Sequence, residues 1–230
     1  MTETEIQCLL CRTETVPAGD EWLGPDERAV QARLKLAKRR AAWRLGRFTA
    51  KQLLTRIERR DDLDEIQILA AEDGAPEAFV DGRQIAGSIS ITHRSGVAAC
   101  VTARSAKVGC DLEAIEPRSQ RFVEDFFTAR EREATQQVDA RLRDRFVALT
   151  WSAKESALKV LRVGLRRDTR SVEVEVDNVA ACQSTWRPVM MTVSPENQTL
   201  SGWWRLYGGL VLTVACDCPA LRIAGHDEQR

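Results

Sequence analysis

Between residues 26 and 60, apolar side chains fall at Val30, Leu34, Ala37, Ala41, Leu45 and Phe48. The spacings are three or four throughout, the period of one helix face, so the block is expected to be helical. Gly46 sits inside the pattern, where glycine costs about 1 kcal/mol relative to alanine. It implies either a break or a close packing contact. Further on, Val172, Val174 and Val176 alternate with Glu173 and Glu175, the period-2 pattern of a half-buried strand. Other strands are expected at 65–70, 88–91, 97–103, 108–113, 188–193 and 208–216, with a strand-like stretch at 6–11 and a turn at Gly74-Ala75-Pro76. Two helices are expected after residue 113, one marked by Phe122, Phe126 and Phe127 and one over 146–161. Helices and strands therefore occur in both halves of the chain, with no sequence repeat between them.

Charge changes this picture. The 230 residues carry 34 Lys and Arg against 34 Asp and Glu, which argues against binding nucleic acid through overall basicity. The zero conceals two blocks. Residues 26–60 hold 12 basic and 3 acidic side chains, and residues 108–139 hold 4 basic and 8 acidic ones. A charge run is first a solvated face, but a basic and an acidic block together can also hold an anion and a cation. The longest charge-free run, 206–216, is far short of the roughly 20 apolar residues of a spanning helix. The acidic start, with Glu3 and Glu5, lacks the basic-then-apolar pattern of a secretory signal. Seven cysteines, an odd number without framework spacing, fit reduced thiols in a cytosol. Cys8 with Cys11 and Cys216 with Cys218 do not meet the spacings of a zinc site.

Two segments carry chemistry. In Gly109-Cys110-Asp111-Leu112-Glu113, a strand places Asp111 and Glu113 on one face and Leu112 on the other. Adjacent carboxylates are tolerated in solvent, beside cations or around a metal, and Mg²⁺ accepts one or two carboxylates completed by water and phosphate. In Trp151 through Lys159, a helix aligns Trp151, Glu155 and Lys159 in one stripe with Lys154 beside it. The flanking apolar residues imply a largely buried helix, in which that charged stripe needs partners. A third segment, Ser88 to Arg94, ends a strand in Thr92 and His93, both able to donate to a phosphate.

Taken in order, these segments resemble the 4'-phosphopantetheinyl transferase superfamily in its longer single-chain, surfactin-synthetase-activating type. The family's G-x-D-x-E strand matches 109–113, and its W-x-x-K-E-x-x-x-K helix matches 151–159. Its S-x-S-H segment matches Ser90-Ile91-Thr92-His93, with Thr for Ser. Its arginine-rich W-x-x-G-R helix matches Arg39 through Arg47. Its Gly-x-Pro turn matches 74–76, Phe126-Phe127-Thr128 and Glu131 fit the interval between the main motifs, and Val163-Gly164-Leu165 fits its glycine turn. Where many members carry a basic residue near the Gly-x-Pro turn, this chain has Glu72, Asp73 and Ala75, which shifts the burden of holding the coenzyme's 3'-phosphate to Arg40, Arg47 and Lys38.

The resemblance implies an α+β pseudo-dimer of two similar halves, each a small antiparallel sheet packed with helices, with the active site between them. Residues 1–105 would form the coenzyme 3'-phosphate and adenine side, and residues 106–230 the metal and catalytic side. It implies transfer of the phosphopantetheine arm of coenzyme A to a serine of an apo acyl or peptidyl carrier protein, with release of 3',5'-ADP. The pathways so served are fatty acid, polyketide or nonribosomal peptide synthesis. Asp111, Glu113 and Glu155 would hold Mg²⁺, with Mn²⁺ the alternative. Lys154 and Lys159 would neutralise the pyrophosphate, and Asp111 would also face the coenzyme. Glu155 would take the serine proton, and Arg40, Arg47, Thr92 and His93 would anchor the 3'-phosphate. The partners are then coenzyme A and a carrier, with no nucleic acid and no membrane, for a cytoplasmic monomer. The carrier's acidic helix would dock at 122–127 with Arg118 and Arg121, unless those phenylalanines are core. Two alternatives stand beside this: a Mg²⁺-dependent pyrophosphohydrolase acting on coenzyme A, and a nucleic-acid binder using the basic helix.

Overall fold

A computed structural model describes residues 4–180, 185–218 and 221–226. The chain forms two compact units, Met1–Ala106 with Leu221–Arg230, and Lys107–Ala220. The first unit runs β1 (Thr4–Arg12), α1 (Pro25–Ala32), α2 (Ala37–Glu58), β2 (Ile66–Ala70), β3 (Pro76–Val80), β4 (Arg83–Gln84), β5 (Ser88–Arg94) and β6 (Val97–Ala103). The second runs β7 (Val108–Ala114), α3 (Gln120–Phe126), α4 (Ala129–Gln137), α5 (Arg143–Val160), β8 (Val172–Glu175), β9 (Arg187–Val193), β10 (Gln198–Tyr207) and β11 (Leu210–Cys216). The chain then returns to the first unit as β12 (Leu221–His226). Where 106–230 was expected to form one half, β12 instead pairs parallel with β1, a long-range pairing that local pattern does not encode.

The block expected as one helix is two. The apolar spacing runs through Leu34, yet the chain leaves the helix after Ala32 and re-enters at Ala37. Leu36, at the N-cap, provides no side-chain cap. Gly46 causes no break. A Cβ there would lie 3.1 Å from Ile91 Cγ2, so glycine lets α2 settle on β5. Leu45, Phe48, Leu53 and Leu54 of α2 pack with Trp22, Leu23, Ile66, Ile68 and Cys100 in the first core. Each such fully buried side chain contributes about 1.5–3 kcal/mol.

In the second unit the sheet order is β7-β11-β10-β9-β8, all antiparallel. Leu149, Ala153, Ala157 and Leu158 of α5 pack onto Val172, Met191, Leu200, Trp204 and Val211. Helix α4 was not expected, because its sequence AREREATQQ offers no apolar stripe. Its start is nevertheless encoded: Thr128 and Glu131 form a reciprocal capping box.

The two units repeat one topology: strand, helices, a long central helix, then a meander that returns beside the first strand. In the first unit the repeated sheet is divided, with order β12-β1-β6-β5 and a separate β2-β3-β4. Each unit is built around the same buried ion pair. In the first, Glu27, the third residue of α1, accepts from Gly24 N (2.9 Å) and from Ile68 N of β2 (3.0 Å). It pairs with Lys51 of α2, and Lys51 donates to Trp22 O at 2.8 Å. In the second, Glu131, the third residue of α4, accepts from Thr128 N and from Val174 N of β8, both at 2.8 Å. It pairs with Lys154 of α5 at 2.8 Å, and Lys154 donates to Thr169 O (3.0 Å) and to Val172 O. All four charged side chains are at most 1% exposed. Buried charges persist only when paired and hydrogen-bonded, and each pair ties a short helix, a long helix and a strand together.

Candidate active site

Strand β7 is an edge strand, paired with β11 in the register Asp111↔Thr213 and Glu113↔Val211. Asp111 and Glu113 point to the face covered by α5, and Leu112 to the other. Helix α5 lies unusually close to this strand. A Cβ on Gly109 would stand 2.0 Å from Ser156 O, 2.9 Å from Val160 N and 3.0 Å from Lys159 Cβ, so only glycine fits. Thr213 completes the docking, its hydroxyl meeting Ser152 Oγ at 2.8 Å and Ser156 Oγ at 2.7 Å. All three hydroxyls are buried, which makes these bonds costly to lose.

This contact sets the carboxylates against the helix stripe. Lys159 Nζ donates to Cys110 O and to Asp111 Oδ1, both at 2.8 Å. Burial pulls the Lys159 pKa down most, but the charges of Asp111, Cys110 and Glu155 and the hydrogen bond to Asp111 together outweigh it and hold the ammonium above its ordinary value. Glu113 accepts from Arg118 at 3.1 Å. Glu155 is half-buried, and no described residue hydrogen-bonds or ion-pairs with its carboxylate. Burial first, then the charges of Asp111 and Glu113, push its pKa up, with Lys159 opposing. A proton-accepting carboxylate made more basic, beside two others, is an arrangement typical of reactive sites rather than of folding cores.

Lys154 departs from expectation. It is fully buried, and its three N–H donors go to Glu131, Thr169 O and Val172 O. Burial lowers its pKa, with Glu131 opposing. Its neighbour in sequence points into the site; Lys154 itself belongs to the structural pair. The aromatic stretch also resolves. Phe122 and Phe126 stack against Trp151 at centroid distances of 5.1 Å, and Phe127 is fully buried. Arg118 lies on Glu113 and Glu116, and Arg121 on Asp125. Phe122 and Phe126 are half-buried, and the Arg121 side chain is 87% exposed.

In the first unit, Arg47 is largely buried, its guanidinium over the Trp43 ring at 5.1 Å. Its Nε–H is buried and donates to no partner among the described residues, and burial lowers its pKa, with Glu27 and Cys100 opposing. Arg40 is exposed two turns earlier on the same helix, as is Lys38. At the end of β5, Thr92 is buried and His93 exposed, next to the Ile91 that Gly46 admits. Arg44, by contrast, is tied to Asp20 and to Gly19 O (2.7 Å), so it anchors the 17–20 loop.

Among the described residues no three His, Cys, Asp or Glu side chains converge closely enough to hold a metal ion; Asp111 is drawn to Lys159 and Glu113 to Arg118. The donor chemistry nonetheless fits a hard divalent cation. Three carboxylates act on one another electrostatically, and Mg²⁺ needs only one or two of them when substrate phosphates supply other ligands.

Two carboxylates on an edge strand, faced by a Glu and a Lys of the helix behind it, are a donor set suited to phosphoryl groups. Family comparison gives the class its name. The 4'-phosphopantetheinyl transferase superfamily matches residues 107–214, and the 4'-phosphopantetheinyl transferase N-terminal domain matches residues 26–103. The chain belongs to this superfamily and is a 4'-phosphopantetheinyl transferase of the longer single-chain kind. No curated protein matches the sequence. No helix among the described residues is long and apolar enough to cross a membrane.

The sequence reading missed the roles of Glu131, Gly109 and the Ser152–Ser156–Thr213 hydroxyls. Two signals were present: the T-x-x-E capping box at 128–131, and serines four apart on one helix face.

Proposed function

We propose that the protein transfers the 4'-phosphopantetheine arm of coenzyme A to a serine hydroxyl of an apo acyl or peptidyl carrier protein, acting as a cytoplasmic monomer with Mg²⁺. The observation that carries this is Glu155, a half-buried carboxylate of raised pKa with no hydrogen-bond or ion-pair partner among the described residues, beside the Asp111–Lys159 pair. In the transfer, the serine oxygen bonds to the phosphorus that bears the pantetheine arm. The phosphoanhydride bond breaks, and 3',5'-ADP leaves with the electron pair. The serine proton passes to Glu155, a carboxylate whose hold on a proton is strengthened by burial and then by the Asp111 charge. Lys159, held by Asp111, presents a fixed cation to the pyrophosphate. Asp111, Glu113 and Glu155 are the residues that would hold Mg²⁺, which when bound supplies charge neutralisation of the phosphates. Arg47, with Arg40, Thr92 and His93, binds the 3'-phosphate; a half-buried guanidinium whose Nε–H has no partner among the described residues favours a dianionic ligand.

Incubation with coenzyme A, Mg²⁺ and an apo carrier is expected to add the phosphopantetheine mass to the carrier, read by mass spectrometry. Release of phosphopantetheine to water with no carrier modified would replace this function by pyrophosphate hydrolysis. Arg47→Ala is expected to raise KM for coenzyme A at least tenfold, and for dephospho-coenzyme A far less. Equal effects on the two would remove Arg47 from the 3'-phosphate site.

A further inference from the structure

Glu113 stands on β7 two residues from Asp111, and a cation from outside the strand holds it. That cation is Arg118, on the short connection between β7 and α3. The connection is fixed at both ends. Ile115 N donates to Gly209 O (2.9 Å), and Ile115 packs on the core. Ser119 caps α3 by accepting from Phe122 N (3.1 Å). Pro117 restricts the backbone between them. The Arg118 guanidinium lies over the Phe122 ring, 5.3 Å from its centroid. Phe122 in turn packs on Trp151, one helical turn before Glu155. The aromatic stack therefore keeps this cation at the edge of the carboxylates.

The hold on Glu113 is divided. Arg118 Nη2 stands 3.1 Å from Glu113 Oε2 and 3.3 Å from Glu116 Oε1. One nitrogen thus serves two carboxylates, whereas the strongest guanidinium–carboxylate pairs direct two parallel N–H bonds at one partner. The two acids differ in place. The Glu113 side chain is 13% exposed and that of Glu116 46%. A guanidinium shared in this way gives up the inner acid at low cost, because the outer one remains. Resting on the metal ligands proposed above, we propose that Arg118 is a positioning residue, the exchangeable counter-ion of Glu113: it holds Glu113 while no divalent cation is bound and passes to Glu116 when Glu113 becomes a ligand. The carboxylates repel one another, and Arg118 relieves that repulsion as Lys159 does at Asp111. The cost falls on metal affinity, since a cation drawing on Glu113 must win it from Arg118.

The test is a titration of the protein with Mn²⁺, without coenzyme or carrier, in which free Mn²⁺ is read by electron paramagnetic resonance. Arg118→Gln is expected to tighten binding about fivefold. Glu116→Gln, a half-exposed change that spares the fold, is expected to weaken it about threefold, because the outer berth for the guanidinium is gone. In a Glu113→Gln background both effects are expected to shrink below about twofold, since the contested acid is absent. A charge acting through space would keep its effect in that background, and a purely structural role would move the melting temperature without this pattern. Unchanged or weaker binding by Arg118→Gln, or an equal gain with and without Glu113, would overturn the proposal. If the parent takes up no Mn²⁺, uptake by Arg118→Gln upholds the proposal and continued absence overturns it. Failure to modify any carrier, with this pattern intact, would remove the proposed transfer and leave Arg118 in its role.

Discussion

Glu155→Gln is expected to lower carrier modification by two to four orders of magnitude and, at the same time, to raise the melting temperature. The first effect follows from losing a positioned base, typically worth about 10²–10⁴-fold. The second follows from linkage. The folded state holds the Glu155 proton more tightly than the unfolded chain does, because burial and then Asp111 penalise the carboxylate. Between the ordinary glutamate value of 4.5 and the raised folded value, the folded state binds more protons. Its stability therefore falls as pH rises through that window. Glutamine never ionises, so the variant escapes this loss. Its advantage is expected to be full above the folded pKa and to vanish below the ordinary one. About 1 kcal/mol shifts Tm by roughly 2–4 °C in a chain of this size, so melts across pH resolve it. A variant melting below the parent at neutral pH would refute the raised pKa. Asp111→Asn gives the contrasting sign: transfer is lost, and Tm falls because Lys159 loses its charged partner. Added Mg²⁺ is expected to raise Tm in the parent more than in either variant, since a ligand of the folded state stabilises it by mass action.

That divergence separates residues that serve the reaction from residues that serve the fold, a distinction the sequence makes poorly. Lys154 and Glu155 are neighbours in one motif. Their fates differ because a helix turns 100° per residue: one side chain enters the core beside Glu131, the other the site. The strands were legible wherever local pattern decides them. Val172 and Val174 are buried, and Glu173 and Glu175 lie on Arg130 at 3.1 and 2.8 Å. The Asp111–Glu113 face, the helix bearing Glu155 and the glycine contact at Gly46 were also readable. The helix break at 33–36 was not, since the apolar spacing continues across it and leaves Val30 and Leu36 exposed. The likeness of the two units was hidden too. It resides in two Glu–Lys pairs and a shared strand order rather than in repeated residues. Lys51 accordingly read as one more cation of a basic block, although it is fully buried on Glu27.

Gly109→Ala is expected to be the most damaging single-methyl change in the second unit. The added Cβ would meet backbone, Ser156 O at 2.0 Å and Val160 N at 2.9 Å, and no rotamer change can relieve that. At Gly202 the nearest atom is the flexible tip of Met191, at 2.3 Å, and the nearest backbone atom, Val214 O, stands off at 2.8 Å rather than 2.0 Å. At Gly74, where φ is 87°, nothing lies within 4 Å, so alanine there meets only conformational strain of about 1 kcal/mol. Overpacking against fixed structure costs about 1–3 kcal/mol or more, which corresponds to a loss of roughly 2–12 °C in Tm; a loss under 2 °C would show that the helix moves away freely. Activity is expected to fall further than stability. Displacing α5 from β7 strains the Ser156–Thr213 bond and the Lys159 contacts with Cys110 O and Asp111. It shifts Glu155 relative to Asp111 and Glu113, and a misplacement of about 1 Å can cost on the order of 10²-fold in rate. Assays well below the melting transition isolate this effect, because nearly all molecules are then folded. A folded Gly109→Ala protein with parental kcat would mean that the close approach of helix and strand serves packing alone.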